Sequence, residues 1–99
     1  MVTLVNKLTV HGDIAEFEKV SEELTRYMEK QPGYVRYALL RSINKPEVFV
    51  EIAWWITAEA HQNAIKSAGF QDLVQRLVAL ASVEPDMYSP VREGSSILD

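Results

Sequence analysis

Polar and apolar positions in TLVNKLTV, residues 3–10, alternate by twos. Leu4, Asn6, Leu8 and Val10 fall on one side, and Thr3, Val5, Lys7 and Thr9 on the other. The pattern predicts a β-strand carrying one amide among apolar neighbours. Gly12 interrupts it, and Asp13 with Glu16 three residues later reads as a capping box. The period then changes to that of a helix: Ile14, Phe17, Val20, Leu24, Tyr27 and Met28 share one side, and Glu16, Glu18, Lys19, Glu22, Glu23 and Arg26 the other, until Pro32-Gly33 ends the run. Alternation returns over Tyr34–Arg41. Asn44-Lys45-Pro46 marks a turn, and Glu47–Trp55 is rich in β-branched and aromatic residues, so the two segments predict a hairpin. Thr57 can cap a second helix through Ala58, His61 and Ile65. A break at Ser67-Ala68-Gly69 precedes further helix through Phe70, Leu73, Val74, Leu77 and Leu80, and Asp86–Val91 is expected as a short fourth strand.

The order strand, helix, strand, strand, helix, strand predicts an α+β domain of the ferredoxin-like split βαβ type: an antiparallel sheet with both helices on one face. The chain has 99 residues and shows no repeat or linker, so a single domain, 1–99, is expected, with its core in residues 2–91 and a loose tail at 92–99. Two helices cover only one sheet face. The other face calls for a partner, and a homodimer is expected, burying Val2, Leu4, Leu8, Val48, Val50 and Ile52 at roughly 25 cal/mol for each Å².

At 47% hydrophobic and 24% charged residues the composition is that of a folded globular chain. A formal charge of −4 gives no electrostatic footprint for nucleic acid, and no apolar run approaches the roughly 20 residues that span a bilayer. The opening MVTLVNKL has no secretory apolar core, so a cytoplasmic location is expected. Without cysteine there is no disulfide, thiolate nucleophile or thiolate metal site. Two separated histidines make neither a metal cluster nor a hydrolytic triad, and no glycine-rich phosphate loop points to a nucleotide or flavin.

The segments VNKLTVHGDIAEFEKV, QPGYVRYALLR, VEIAWW and AGFQDL resemble, in order and spacing, the antibiotic biosynthesis monooxygenase (ABM) family over about residues 2–91. The resemblance is to the branch that tailors aromatic polyketides. It implies a dimeric α+β barrel of ferredoxin-like subunits and a cofactor-independent oxygenase that turns an anthrone-type ring into a quinone with O2. In that branch an asparagine of the first strand and a tryptophan ending the third are tied to oxygenation, which here implies Asn6 and Trp55. A related branch degrades haem with a histidine and a tryptophan; their places are taken here by Val74 and Ala64, which argues against that activity and leaves no cofactor expected.

Each of these residues also has an ordinary use. Asn6 can hydrogen-bond a neighbouring segment, since burying an amide without a partner costs about 1–3 kcal/mol. Trp54 and Trp55 must point to opposite faces, so one packs in the core while the other lines a cavity. Phe49, Glu51 and Ala53 share the face of Trp55, which brings Glu51 toward that cavity unless Arg36 or Arg41 claims it. His61 has a route into the same space; His11, at the end of strand one, does not. Tyr27, Tyr37 and Phe70 complete the expected substrate-binding set. Asn6 would donate its amide hydrogens to a substrate oxygen, and Trp55 would stack on the flat ring or stabilise the oxygen intermediate. The alternative on the same fold is a protein that binds or cyclises small aromatic polyketides without redox chemistry.

Overall fold

The computed structural model describes residues 1–97. Its elements are β1 (Val2–Val10), α1 (Ile14–Met28), β2 (Tyr34–Arg41), β3 (Val48–Trp55), α2 (Ala58–Ile65), α3 (Ala68–Val78) and β4 (Ala81–Tyr88). The strands form one sheet in the order β2-β3-β1-β4, and every neighbouring pair is antiparallel. This is the βαββαβ ferredoxin-like arrangement, with its second helical segment divided in two. Ser67 makes the division. Its hydroxyl accepts from Phe70 N–H at 3.4 Å to cap α3, as the Thr57 hydroxyl accepts from Ala60 N–H at 3.1 Å to cap α2. Asp13 stands at the N-cap of α1, but its side chain makes no capping hydrogen bond, so the expected capping box is not formed.

The fourth strand corrects the sequence reading. It runs from Ala81 to Tyr88 rather than from Asp86 to Val91, because Ala81, Val83 and Met87 alternate on the sheet face that meets the helices. Pro85 obscured that period. Proline lacks an N–H, yet β4 is an edge strand, where a missing donor is tolerated. Val91 and Ile97 are almost fully exposed, and residues 92–97 belong to no helix or strand; the remainder of the expected tail, 98–99, lies outside the described residues.

Alternation sorts the sheet into two faces. Toward the helices point Val2, Leu4, Asn6, Leu8 and Val10 of β1 and Phe49, Glu51, Ala53 and Trp55 of β3. Leu8, Val10, Phe17, Val20, Leu24, Phe49, Leu77 and Ala81 make one buried cluster at one end. Met28, Ala53, Trp55 and Ala64 make a second at the other. The expected dimer surface therefore needs correction. Val2, Leu4 and Leu8 face the helices, whereas Val48, Val50 and Ile52 lie on the opposite side, where Ala38 and Leu40 of β2 are their cross-strand neighbours. Trp54 belongs to that outer face, with the Arg36 guanidinium 3.8 Å above its ring. No helix among the described residues is long and apolar enough to cross a membrane.

Candidate active site

Between the two buried clusters the helices stand away from the sheet and leave a cavity of about 290 Å³, at the small end of the range for ligand pockets. Its wall is largely apolar. The few polar side chains in it come from identifiable positions: Asn6 from β1, Thr25 from α1, Tyr34 and Tyr37 from β2, Glu51 and Trp55 from β3, and His61 from α2.

Asn6 and Glu51 are cross-strand partners in the β1–β3 register, so one strand pairing brings the amide and the carboxyl together. The Asn6 Oδ1 accepts the backbone N–H of Glu84 on β4 at 3.0 Å. With the carbonyl end committed to β4, the NH2 end of the amide is turned to the Glu51 carboxyl in the cavity wall. Asn6 is 8% exposed. Burial pushes the Glu51 carboxyl above the ordinary carboxylate range, and hydrogen bonding from Asn6 pulls it part of the way back. Neither arginine neutralises it: Arg36 lies over Trp54 on the far face, and Arg41 donates to the Pro46 carbonyl at 2.7 Å.

Trp55 is 1% exposed, and its indole ring is clamped edge-on by two others. The Tyr34 and His61 ring centroids each lie 5.3 Å from it, at interplanar angles of 88° and 71°. Its Nε1–H is buried and has no hydrogen-bond partner, alone in this respect among the buried side-chain polar atoms of the described residues. An orphaned donor of this kind costs about 1–3 kcal/mol and calls for an explanation. His61 is held below its ordinary value by burial, which favours the neutral imidazole. The Tyr34 phenol is pushed up to about 12, mainly by burial, and keeps its proton at neutral pH.

Six of the seven residues singled out from the sequence, Asn6, Tyr37, Glu51, Trp55, His61 and Phe70, line this one cavity. Tyr27 does not. Its hydroxyl donates to Ser67 Oγ at 2.6 Å, and Ser67 in turn donates to the Ala64 carbonyl at 2.7 Å, so Tyr27 ties α1 to the α2–α3 junction. Its ring also fills the space above Gly69, where any Cβ would collide with it. Sequence reasoning missed Tyr34, because strict alternation sets residues 34 and 37 on opposite faces. An irregularity between Tyr34 and Arg36 shifts the register and brings both tyrosines to the cavity side. Among the described residues no three His, Asp or Glu side chains converge as a metal site would require.

Comparison with known proteins gives a consistent result. Residues 1–76 match the antibiotic biosynthesis monooxygenase family. The chain is 39% identical over 88 residues to deoxynogalonate monooxygenase of Streptomyces nogalater, covering 89% of this chain and 75% of that protein. The crystal structure of SnoaB, a cofactor-independent oxygenase from Streptomyces nogalater, superimposes with a TM-score of 0.90 at 37% identity, over 93% of this chain and 94% of that one. A conserved protein from Methanosarcina mazei shares the fold at 20% identity, with a TM-score of 0.79 over 88% of this chain and 89% of its own.

Proposed function

The chain belongs to the antibiotic biosynthesis monooxygenase family, and on that premise we propose that it is a cytoplasmic, cofactor-independent monooxygenase that oxidises an anthrone-type aromatic polyketide to a quinone with O2. The observation that carries the reading is the unpartnered Nε1–H of Trp55, buried in the wall of a largely apolar cavity that also holds the Asn6 amide. A flat polycyclic ketone suits such a space. Its rings meet the apolar wall, and its oxygens supply the acceptors that the two nitrogen donors need.

In this reaction the substrate itself supplies the electrons that O2 takes. Loss of a ring methylene proton gives a delocalised carbanion whose charge rests largely on the carbonyl oxygen. One electron passes to O2, the radical pair joins as a peroxide, and the peroxide collapses to the quinone and water. The protein contributes position and electrostatics. Trp55 Nε1–H and the Asn6 NH2 act as fixed donors to the oxygens on which negative charge accumulates, and Tyr34, Tyr37, His61 and Phe70 hold the ring system. The donors need little reorganisation, because Glu84 fixes the Asn6 amide and two rings clamp the indole.

The active form in this reading is a homodimer joined through the outer sheet face, where Ala38, Leu40, Val48, Val50, Ile52 and Trp54 form one apolar patch. Sedimentation should give about twice the 11.2 kDa of one chain. The function is tested by incubating the protein with dithranol or emodin anthrone and following O2 consumption and quinone absorbance together. A rate no higher than the buffer blank across several anthrones would sink the oxygenase reading. Turnover to a new product without O2 loss would replace it with cyclisation.

A further inference from the structure

The oxidation begins with loss of a proton from carbon, and neither Asn6 nor Trp55 can take one: both are donors there. We propose that the Glu51 carboxylate is the general base that removes the methylene proton of the bound anthrone and returns it to the peroxide, an inference that rests on the anthrone-oxidising reading above.

Placement supports this assignment. Glu51 and Trp55 stand on the same face of β3, four residues and therefore about 13 Å apart along the strand, and both line the cavity. A flat ring system lying along this stretch of β3 with its carbonyl edge toward the Trp55 end presents its opposite edge, where the methylene lies, toward Glu51. Asn6, the cross-strand partner of Glu51, places an amide donor at that same end, where the peroxide oxygen forms.

The surroundings make the carboxylate a stronger base than one in water. The titratable side chains lining the cavity with it are Tyr34 and Tyr37 of β2 and His61 of α2; α1, α3, β1 and β4 contribute none. Among the described residues no cation pairs with it, and burial raises its proton affinity by more than the hydrogen bond from Asn6 lowers it. His61 is the rival, but burial weakens it as a base, and its ring is turned edge-on to Trp55.

The proton and electron balance closes on one residue. The carboxylate takes a methylene proton and the C–H electron pair stays in the ring system. One electron passes to O2, and the two radicals join to form the C–O bond of a peroxide anion. Glu51 protonates that anion to a hydroperoxide and becomes a carboxylate again. It then takes the remaining hydrogen of the same carbon as a proton, and the C–H pair becomes the second bond of the new carbonyl while the O–O bond breaks. The leaving hydroxide receives that proton from Glu51 and departs as water.

The test separates the proton step from the oxygen step. Dithranol is incubated anaerobically in D2O with wild-type protein and with Glu51→Gln, and methylene exchange is followed by mass spectrometry; O2 uptake is measured in parallel under air across a range of pH. The wild type should accelerate exchange, and Glu51→Gln should lower it by about 100- to 10,000-fold. The wild-type kcat/KM should rise with pH as Glu51 ionises, and the variant should lose that limb. Exchange in Glu51→Gln at the wild-type rate would overturn the proposal while leaving the oxygenase reading intact. Wild-type exchange abolished by Glu51→Gln, but with no O2 uptake by either protein, would uphold Glu51 as the base and refute the oxygenase. O2 uptake by a wild type that does not accelerate exchange would again overturn the proposal. If Glu51→Gln does not fold, Glu51→Asp decides. Its carboxylate is withdrawn by one methylene, so slowed exchange with the pH limb retained supports the assignment, and an unaltered rate contradicts it.

Discussion

Replacing Asn6 by alanine acts at both ends of one amide, one structural and one proposed to be catalytic. The Oδ1 end holds the Glu84 N–H at 3.0 Å and so helps fasten the edge strand β4 to β1. The Glu84 N–H points at the buried Asn6 side chain and loses its acceptor, so the cost is that of an unsatisfied donor, about 1–3 kcal/mol. The deleted volume opens into the existing cavity rather than making a new closed void, and little is added for lost packing. For a domain of this size about 1 kcal/mol lowers Tm by roughly 4–8 °C. The NH2 end faces the cavity, and removing a donor aimed at developing negative charge lowers turnover by about 100- to 1000-fold. The two effects are measured on one preparation: a melting curve at fixed protein concentration, and the quinone-formation rate from dithranol at a temperature where both proteins are folded. A variant with the lowered Tm but the wild-type rate per folded molecule would refute the catalytic half of the argument, leaving Asn6 as a strand fastener.

Trp55→Phe removes an N–H that has no partner in the fold, so the relief of that buried donor offsets the smaller ring; stability should change by no more than about 1 kcal/mol while the oxidation rate falls at least tenfold, as paired melting and rate measurements would report. Tyr27→Phe should show the reverse. Loss of its 2.6 Å bond to Ser67 costs about 0.5–1.5 kcal/mol in denaturant unfolding, and the rate with an anthrone stays at the wild-type value because the ring lies outside the cavity lining. His61 contributes a pH dependence of known sign. Its value is depressed from 6.5 in the fold, so protons bind the unfolded chain first, and stability is lost as the pH falls below 6.5 and through the folded value; His61→Gln should flatten that acid slope in Tm measured against pH.

Most of the fold was legible because its elements are amphipathic with one period each. The β1 pattern located Asn6 on the buried face, and the adjacent tryptophans do lie on opposite sides of the sheet, but the one expected in the core, Trp54, lies on the outer face under Arg36, and Trp55 is both buried and in the cavity wall. What failed was local. Pro85 broke the apparent alternation of β4, and only the edge position of that strand in the assembled sheet makes the proline acceptable. The shift between Tyr34 and Arg36 depends on pairing with β3 and leaves no mark in the sequence, so Tyr34 was passed over. Tyr27 was misread because helical periodicity reports which side of α1 is buried, not whether a side chain meets a cavity or another helix. The assignment of Val2, Leu4 and Leu8 to the dimer surface treated apolar character as a sign of a shared face. Strand parity, which sets Val48, Val50 and Ile52 on the other side, was the stronger guide.

Oxygen labelling identifies the source of the new quinone oxygen. Dithranol is turned over by the purified protein under 18O2 in ordinary water, and the quinone is weighed by mass spectrometry while O2 uptake is recorded. A monooxygenase places one 18O atom in the quinone at the former methylene carbon and the second in water, and consumes one O2 for each quinone formed. Quinone formed no faster than in the buffer blank, or carrying oxygen from water alone, would contradict the proposed function.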